Sequence, residues 1–235
     1  MITDSFKGDI LFISNKLSRN DCFSFSKFAD GEYAIISGQS ITNIDGWNFD
    51  NDRDHRERSL LIEAFQYSSE NYYIGICCPC CAPTAVNWMR ESHNSKGRVT
   101  WANIFVNSNY QIFCEYILPN INAWPGKVNI VASEKGIGKS LPIKVNTYIP
   151  IGQEAWKMPH AESIIAETAH LARKSSGQLF LFCAGPLGNM LAYKLHQISP
   201  DNTYLDIGST LNRWLVGNNR GYLIGGMDKT KVCIW

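Results

Sequence analysis

The sequence predicts an α/β fold: one Rossmann-like domain over residues 1–235, built on a mostly parallel sheet with helices on both faces. Three observations carry that prediction. Short β-rich runs alternate with amphipathic segments of helix length. One run, Leu179 to Cys183 (LFLFC), is continuously apolar, as a central parallel strand covered on both faces must be. No repeat, low-complexity tract or linker divides the chain. Strands so arranged are joined by right-handed crossovers.

In chain order, Phe23 to Phe28 (FSFSKF) alternates apolar and polar side chains and reads as a half-buried strand. Arg53 to Ser69 sets Leu60, Leu61, Ala64 and Phe65 at helical spacing, with its charges early. Tyr72 to Cys77 is a strand, followed by a helix from about Pro83 to Ser92. Asn107 to Leu118 reads as a helix that ends before Pro119, since proline lacks the N–H the helical ladder needs. Lys127 to Ala132 and Ile143 to Ile149 are the next strands. Pro159 to Ser175 is strongly helical, Pro159 suiting the first turn and Gly177 lying beyond the end. After the apolar strand, Leu187 to Gln197 is helical, Thr203 to Asp206 a strand, and Ser209 to Leu215 a further helix. The closing run Val232 to Trp235 resembles a last strand.

Composition excludes several classes. Hydrophobic residues make up 45% of the 235 and charged ones 18%, which supports a sizeable core and rules out a disordered or fibrous chain. Lys and Arg number 22 against 21 for Asp and Glu, so no basic excess draws the protein to a phosphate backbone, and nucleic acid is not an expected partner. Met1 to Leu17 lacks the basic region, apolar stretch and small-residue site of a secretory signal. No window approaches the ~18–20 apolar residues of a transmembrane segment. Eight cysteines are too few for a disulfide scaffold and are expected to be reduced thiols in a cytoplasmic protein.

In an open α/β sheet, ligands bind beyond the carboxyl ends of the strands. That rule selects Ala29-Asp30-Gly31-Glu32, the cysteines after Ile76, Ser133 to Ser140, Ala184 to Gly188, and Asp206 to Ser209. Asp30 and Glu32 flank a glycine, so both carboxylates can converge on a hard cation that keeps waters and bridges to phosphate oxygens. Alternatively, one of them caps the helix starting near Glu32. Gly185-Pro186-Leu187-Gly188 opens a helix after the buried strand, where free N–H groups suit a diphosphate or simply form a tight turn. Lys135 to Ser140 contains G-K-S, but Ser133 stands where a P-loop needs glycine, and a flexible basic loop is the better reading.

Cys77-Cys78-Pro79-Cys80-Cys81 holds two overlapping C-x-x-C spacings. These fit a zinc site, a redox pair opening a helix, or cysteines packing as small hydrophobes. The five histidines form no i, i+4 pair, and no G-x-S-x-G elbow supports a hydrolase. Seven tryptophans offer stacking faces or core packing.

Ser26 to Glu32 (SKFADGE) resembles the R-[FY]-G-D-G-E segment of the GT-D fold glycosyltransferases. That family also carries a G-P-x-x-x-x-L-A-Y helix start, matched by Gly185, Pro186, Leu191, Ala192 and Tyr193, and a D-I-G-H turn, matched by Asp206, Ile207 and Gly208. Tyr72 to Pro79 is similar to its intervening I-G-I-P strand, so the resemblance runs from about Phe23 to Leu215. It implies a Rossmann-like, metal-dependent hexosyltransferase moving a sugar from a nucleotide-sugar donor, typically a UDP-sugar, to a hydroxyl of a glycan or glycoprotein acceptor. Asp30 and Glu32 would hold the divalent metal, Mn2+ or Mg2+. Lys27, the Gly185-Pro186 turn and the Gly208-Ser209 turn would line the donor pocket, and Asp206 and Ser209 are the candidate catalytic residues. The chain departs from the family pattern: Lys27 replaces arginine, Ala29 glycine, Ser209 histidine, and Leu211 an acidic residue. The missing histidine keeps open a non-catalytic nucleotide-sugar-binding domain, and the cysteines a zinc-stabilised interaction module.

Overall fold

The computed structural model describes residues 6–42, 47–217 and 220–224. Its strands are β1 (Ser24–Lys27), β2 (Ile41–Thr42), β3 (Asn48–Phe49), β4 (Tyr72–Ile76), β5 (Val99–Trp101), β6 (Val128–Ser133), β7 (Thr147–Ile151), β8 (Leu179–Cys183) and β9 (Thr203–Asp206). Seven form one sheet in the order β5-β4-β1-β9-β8-β6-β7, and every neighbouring pair is parallel. β2 and β3 pair separately as a short antiparallel ribbon. The helices are α1 (Phe6–Ser18), α2 (Asp30–Ile36), α3 (His55–Gln66), α4 (Pro83–Ser92), α5 (Tyr110–Ile112), α6 (Leu118–Asn122), α7 (His160–Ala172), α8 (Pro186–Ile198) and α9 (Asn212–Leu215). The mostly parallel α/β architecture predicted from the sequence is therefore present, and its parallel pairing is complete.

The alternating strand β1 is not half-buried as expected: Ser24, Phe25 and Ser26 are all buried, because helices cover both faces and the serines are satisfied by hydrogen bonds. Successive strand side chains point to opposite faces. Ser24 and Ser26 meet α8: Ser24 Oγ donates to the Ala192 carbonyl at 3.1 Å, and Asn189 Nδ2 donates to Ser26 Oγ at 3.0 Å. Phe23 and Phe25 face the other way, onto Tyr73 and Phe105, and Tyr73 in turn meets Phe12 of α1. So α1 and α8 lie on opposite faces. The apolar run of β8 is buried from Leu179 to Phe182, as a doubly covered strand requires. α1 was not assigned from the sequence; it buries Ile10, Ile13 and Leu17 and pairs its buried Asp9 with Arg98 at 2.6 Å and with the Thr100 hydroxyl.

Several boundaries differ from the sequence reading: the helices expected over Arg53–Ser69 and Pro159–Ser175 run His55–Gln66 and His160–Ala172. The helical segment from Asn107 does not end before Pro119 but runs on to Asn122, through a π turn at Phe113–Ile117. That turn re-registers the hydrogen bonds, so Pro119 falls at the start of α6, where no N–H is required. The strand expected at Ile143 begins at Thr147, because Asn146 first turns its side-chain oxygen onto the Val128 N–H at 2.8 Å. The helix expected at Ser209 shortens to Asn212–Leu215. Val232 to Trp235 and Cys233 lie outside the described residues.

Candidate functional site

The carboxyl ends of β1 and β9, adjacent in the sheet, bring together most of the residues singled out from the sequence. β1 ends at Lys27, and α2 starts three residues later with Asp30 and Glu32 in its first turn. Glu32 is buried, and its Oε2 accepts the Ala29 N–H at 2.9 Å. The capping role is thus real and belongs to Glu32, reaching back from the third helical position to the N-cap backbone. Asp30 is exposed. Burial raises the Glu32 pKa above the usual carboxylate range; the Lys27 ammonium opposes that shift and the Asp30 charge adds to it.

Asp206, the last residue of β9, is 2% exposed. Its Oδ2 accepts the Lys27 N–H at 3.2 Å and its Oδ1 the Gly208 N–H at 3.0 Å, so the carboxyl joins the end of β1 to the turn that follows β9. Gly188 of α8 packs on it closely: a Cβ there would stand 3.3 Å from the carboxyl. Burial pushes the Asp206 pKa up to about 7, with Lys27 pulling it down and Glu32 raising it further. The Lys27 side chain lies across Gly208, whose φ is +54°, and a Cβ at Gly208 would come within 2.6 Å of Lys27 Cε. Burial disfavours the charged ammonium, yet Glu32, Asp206 and Asp30 outweigh it and hold the Lys27 pKa above its usual value. One cation therefore sits in the field of three acids.

Ser209 is tied to Tyr222, the two hydroxyl oxygens lying 2.6 Å apart, and the Tyr222 ring packs on Tyr110 at 5.3 Å. Nothing in the sequence marked Tyr222, which lies 13 residues downstream of Ser209 and carries no motif. Gly185 is the exposed N-cap of α8 with φ +54°, and Pro186 occupies the first helical turn. Trp47 Nε1 lies 3.4 Å from where a Gly185 Cβ would be, and Trp47 meets Trp156 edge-on at 5.6 Å. Trp47, backed by the buried Trp156, therefore walls the Gly185 turn, which puts two of the seven tryptophans that the sequence offered as stacking faces or core beside this turn. Asn189 holds the end of β1 from below, donating to the Lys27 carbonyl at 2.9 Å.

The remaining candidates fall elsewhere. Lys135 to Ser140 opens with a short 3-10 turn, and no helix follows it directly. Lys139 Nζ donates to the Leu215 carbonyl at 2.9 Å, so this loop is anchored rather than open as a phosphate cradle. Cys77 and Cys78 are buried, as packing predicts, whereas Cys80 and Cys81 are exposed. Cys77 Sγ lies 3.9 Å from the Phe28 carbonyl, just before the acidic turn, and burial, aided by the Asp30 and Glu32 charges, raises its pKa. Two pockets of about 650 and 480 Å3 lie on the α3–α7–α8 surface and beside Gly136–Pro150; neither is lined by Asp30, Glu32 or Asp206. Among the described residues, no helix is long and apolar enough to cross a membrane.

No family model and no curated protein matches this sequence. Two solved structures are similar to it. One is a selenomethionine-substituted structure of domain of unknown function 1792, with a TM-score of 0.58. The other is described as showing that the highly conserved domain of unknown function 1792 has a distinct glycosyltransferase fold, with a TM-score of 0.59. Each is 16% identical and matches over 93% of this chain and 82% of the other. At that identity the likeness establishes the fold, and function has to be argued from the site.

Proposed function

We propose that this chain is a glycosyltransferase that takes a nucleotide-sugar donor, of the UDP-sugar type, and transfers its sugar to a hydroxyl of a glycan or glycoprotein. The observation that carries this reading is the convergence of Lys27, Asp30, Glu32 and Asp206 around the Gly208-Ser209 turn, in a fold shared with a domain described as having a glycosyltransferase fold. Such a transfer expels a nucleoside diphosphate, and fixed positive charge where negative charge develops lowers the barrier. Lys27 supplies one such charge. The exposed Gly185 turn supplies backbone that a donor can approach closely.

Asp30 and Glu32 offer the hard oxygen donors that Mn2+ or Mg2+ accepts while keeping several waters, so the donor set fits a divalent cation. When bound, the cation would neutralise charge on the diphosphate. Because Glu32 also caps α2, the cleaner probe is Asp30→Asn, which leaves the cap intact. The test is a thermal-shift titration of UDP and UDP-sugars, with and without Mn2+, on wild type, Asp30→Asn and the Asp30→Ala/Glu32→Ala double variant. A ligand at a hundred times its Kd stabilises the fold by about 2.7 kcal/mol. A manganese-dependent shift lost in Asp30→Asn supports the reading; no shift with any uridine nucleotide refutes it.

A second reading, a donor-binding domain without turnover, has one observation in its favour. Both Asp206 oxygens accept backbone N–H groups and the Ser209 hydroxyl is engaged by Tyr222, so neither candidate stands ready as an unengaged base. UDP release from a donor that binds distinguishes the two.

A further inference from the structure

We propose that Cys78, Cys80 and Cys81 form a second metal site, in which three thiolates bind a Zn2+ ion. The proposal does not depend on the glycosyltransferase reading. Among the described residues, these are the one group of three or more His, Cys, Asp or Glu side chains whose ligand atoms all lie within 4.8 Å of one another. Cys78 Sγ and Cys80 Sγ stand 3.2 Å apart. A tetrahedral ion with Zn–S bonds of about 2.3 Å needs its sulfurs roughly 3.8 Å apart, a spacing between those two figures. The three thiols can close on the ion by side-chain rotation.

The backbone explains why they converge. At the end of β4, Cys78-Pro79-Cys80-Cys81 folds into a tight turn, with the Cys81 N–H donating to the Cys78 carbonyl at 3.2 Å and the Ala82 N–H to the same oxygen at 3.0 Å. Such a C-x-x-C knuckle brings its first and last sulfurs to one side, and here the intervening Cys80 joins them. α4 starts only at Pro83, so the turn is fixed between a buried strand and a helix rather than hanging free.

A second observation concerns what surrounds the sulfurs. Asn103, nearly buried just beyond β5, donates from one amide nitrogen to two of the sulfurs: Cys78 Sγ at 3.4 Å and Cys81 Sγ at 3.2 Å. The Asn103 carbonyl is held in turn by Asn109 Nδ2 at 3.2 Å. A positioned donor shared by two sulfurs is what a metal-bound thiolate pair calls for in its surroundings. Cys80 and Cys81 are exposed, which gives the ion a path in. Binding needs no oxidant: each thiol gives up its proton as its S–Zn bond forms, so affinity rises with pH.

The test uses Co2+ as a spectroscopic probe on the reduced, chelator-stripped protein. Wild type is expected to develop intense thiolate-to-cobalt absorption at one equivalent, bleached by added Zn2+. Cys80→Ser/Cys81→Ser, at exposed positions, is expected to lose it while keeping the wild-type circular dichroism. Cys114→Ser is expected to keep it, and Asn103→Ala to weaken cobalt binding by about 10–100-fold. The proposal is overturned if reduced wild type, with its thiols counted, gives no such absorption, or if the double variant keeps it. It is equally overturned if the cysteines pair as a disulfide under zinc-saturated conditions, seen as two thiols lost from the count.

Discussion

Asp206→Asn removes one titrating group while leaving the side-chain shape. In the folded protein the Asp206 pKa stands at about 7, against 3.8 for an unperturbed carboxyl. At about 1.4 kcal/mol per pKa unit, that gap corresponds to about 4 kcal/mol. A raised pKa means that the native state holds its proton where the unfolded chain has released it. The contribution is therefore fully present below pH 3.8 and lost as pH rises through about 7. Glu32, also raised, and His196, which titrates in the opposite sense, stay in both proteins, so the difference between wild type and variant reports Asp206 together with its coupling to Glu32 and Lys27. Urea unfolding from pH 4 to 7.5 should show the wild-type-minus-variant stability falling by about 4 kcal/mol, with a limiting slope of about 1.4 kcal/mol per pH unit. A difference flat to within about 1 kcal/mol across that range would refute the placement of Asp206 as a buried, strained acid.

His196 provides the opposing case. Burial lowers its pKa from 6.5 to about 4, so wild type loses stability as pH falls through that interval, by about 3 kcal/mol at its foot. His196→Gln, which can still meet the Tyr67 hydroxyl, should abolish that acid-side loss in the same urea series. Gly208→Ala should cost about 1–3 kcal/mol, since its φ of +54° is strained for any L side chain and the new methyl meets Lys27 Cε. Gly152→Ala, which meets nothing within 4 Å, is the control and should change the urea midpoint little.

Elements whose burial pattern is set locally could be read from the sequence. Pro83–Ser92 and Leu179–Cys183 came out with their observed bounds, the first because proline opens it and the second because an unbroken apolar run of strand length suits burial on both faces. What failed depends on distant partners. Pro119 looked like a stop because proline interrupts an α-helical ladder; the preceding π turn, which moves it to a helix start, has no sequence signature. α1 was passed over although Ile10, Ile13 and Leu17 are helically spaced, because its Asp9, which breaks the apolar reading, is satisfied only by Arg98 and Thr100 from β5 and its approach. The site shows the same division. Glycine turns after strands located Asp206, Gly208 and Gly185, whereas Tyr222 and Trp47 reach it through tertiary packing alone.

Lys27 shows how a departure from a motif acquires a physical reason. In the sequence it is only a lysine where the resembling family has arginine, a loss of paired hydrogen bonding to phosphate. In the structure its stem must cross Gly208 and deliver a charge among Glu32, Asp206 and Asp30. A flexible four-carbon chain ending in a compact ammonium meets those demands, while a planar guanidinium would have to pass the same contact at Gly208 with a wider head. The three acids also show why this cation matters: without it, Glu32 and Asp206, both already raised by burial, keep only backbone N–H groups to draw them toward ionisation. The lysine is thus the counter-charge that draws Glu32 and Asp206 toward their ionised forms, and any donor or cation entering here does so in the field it sets.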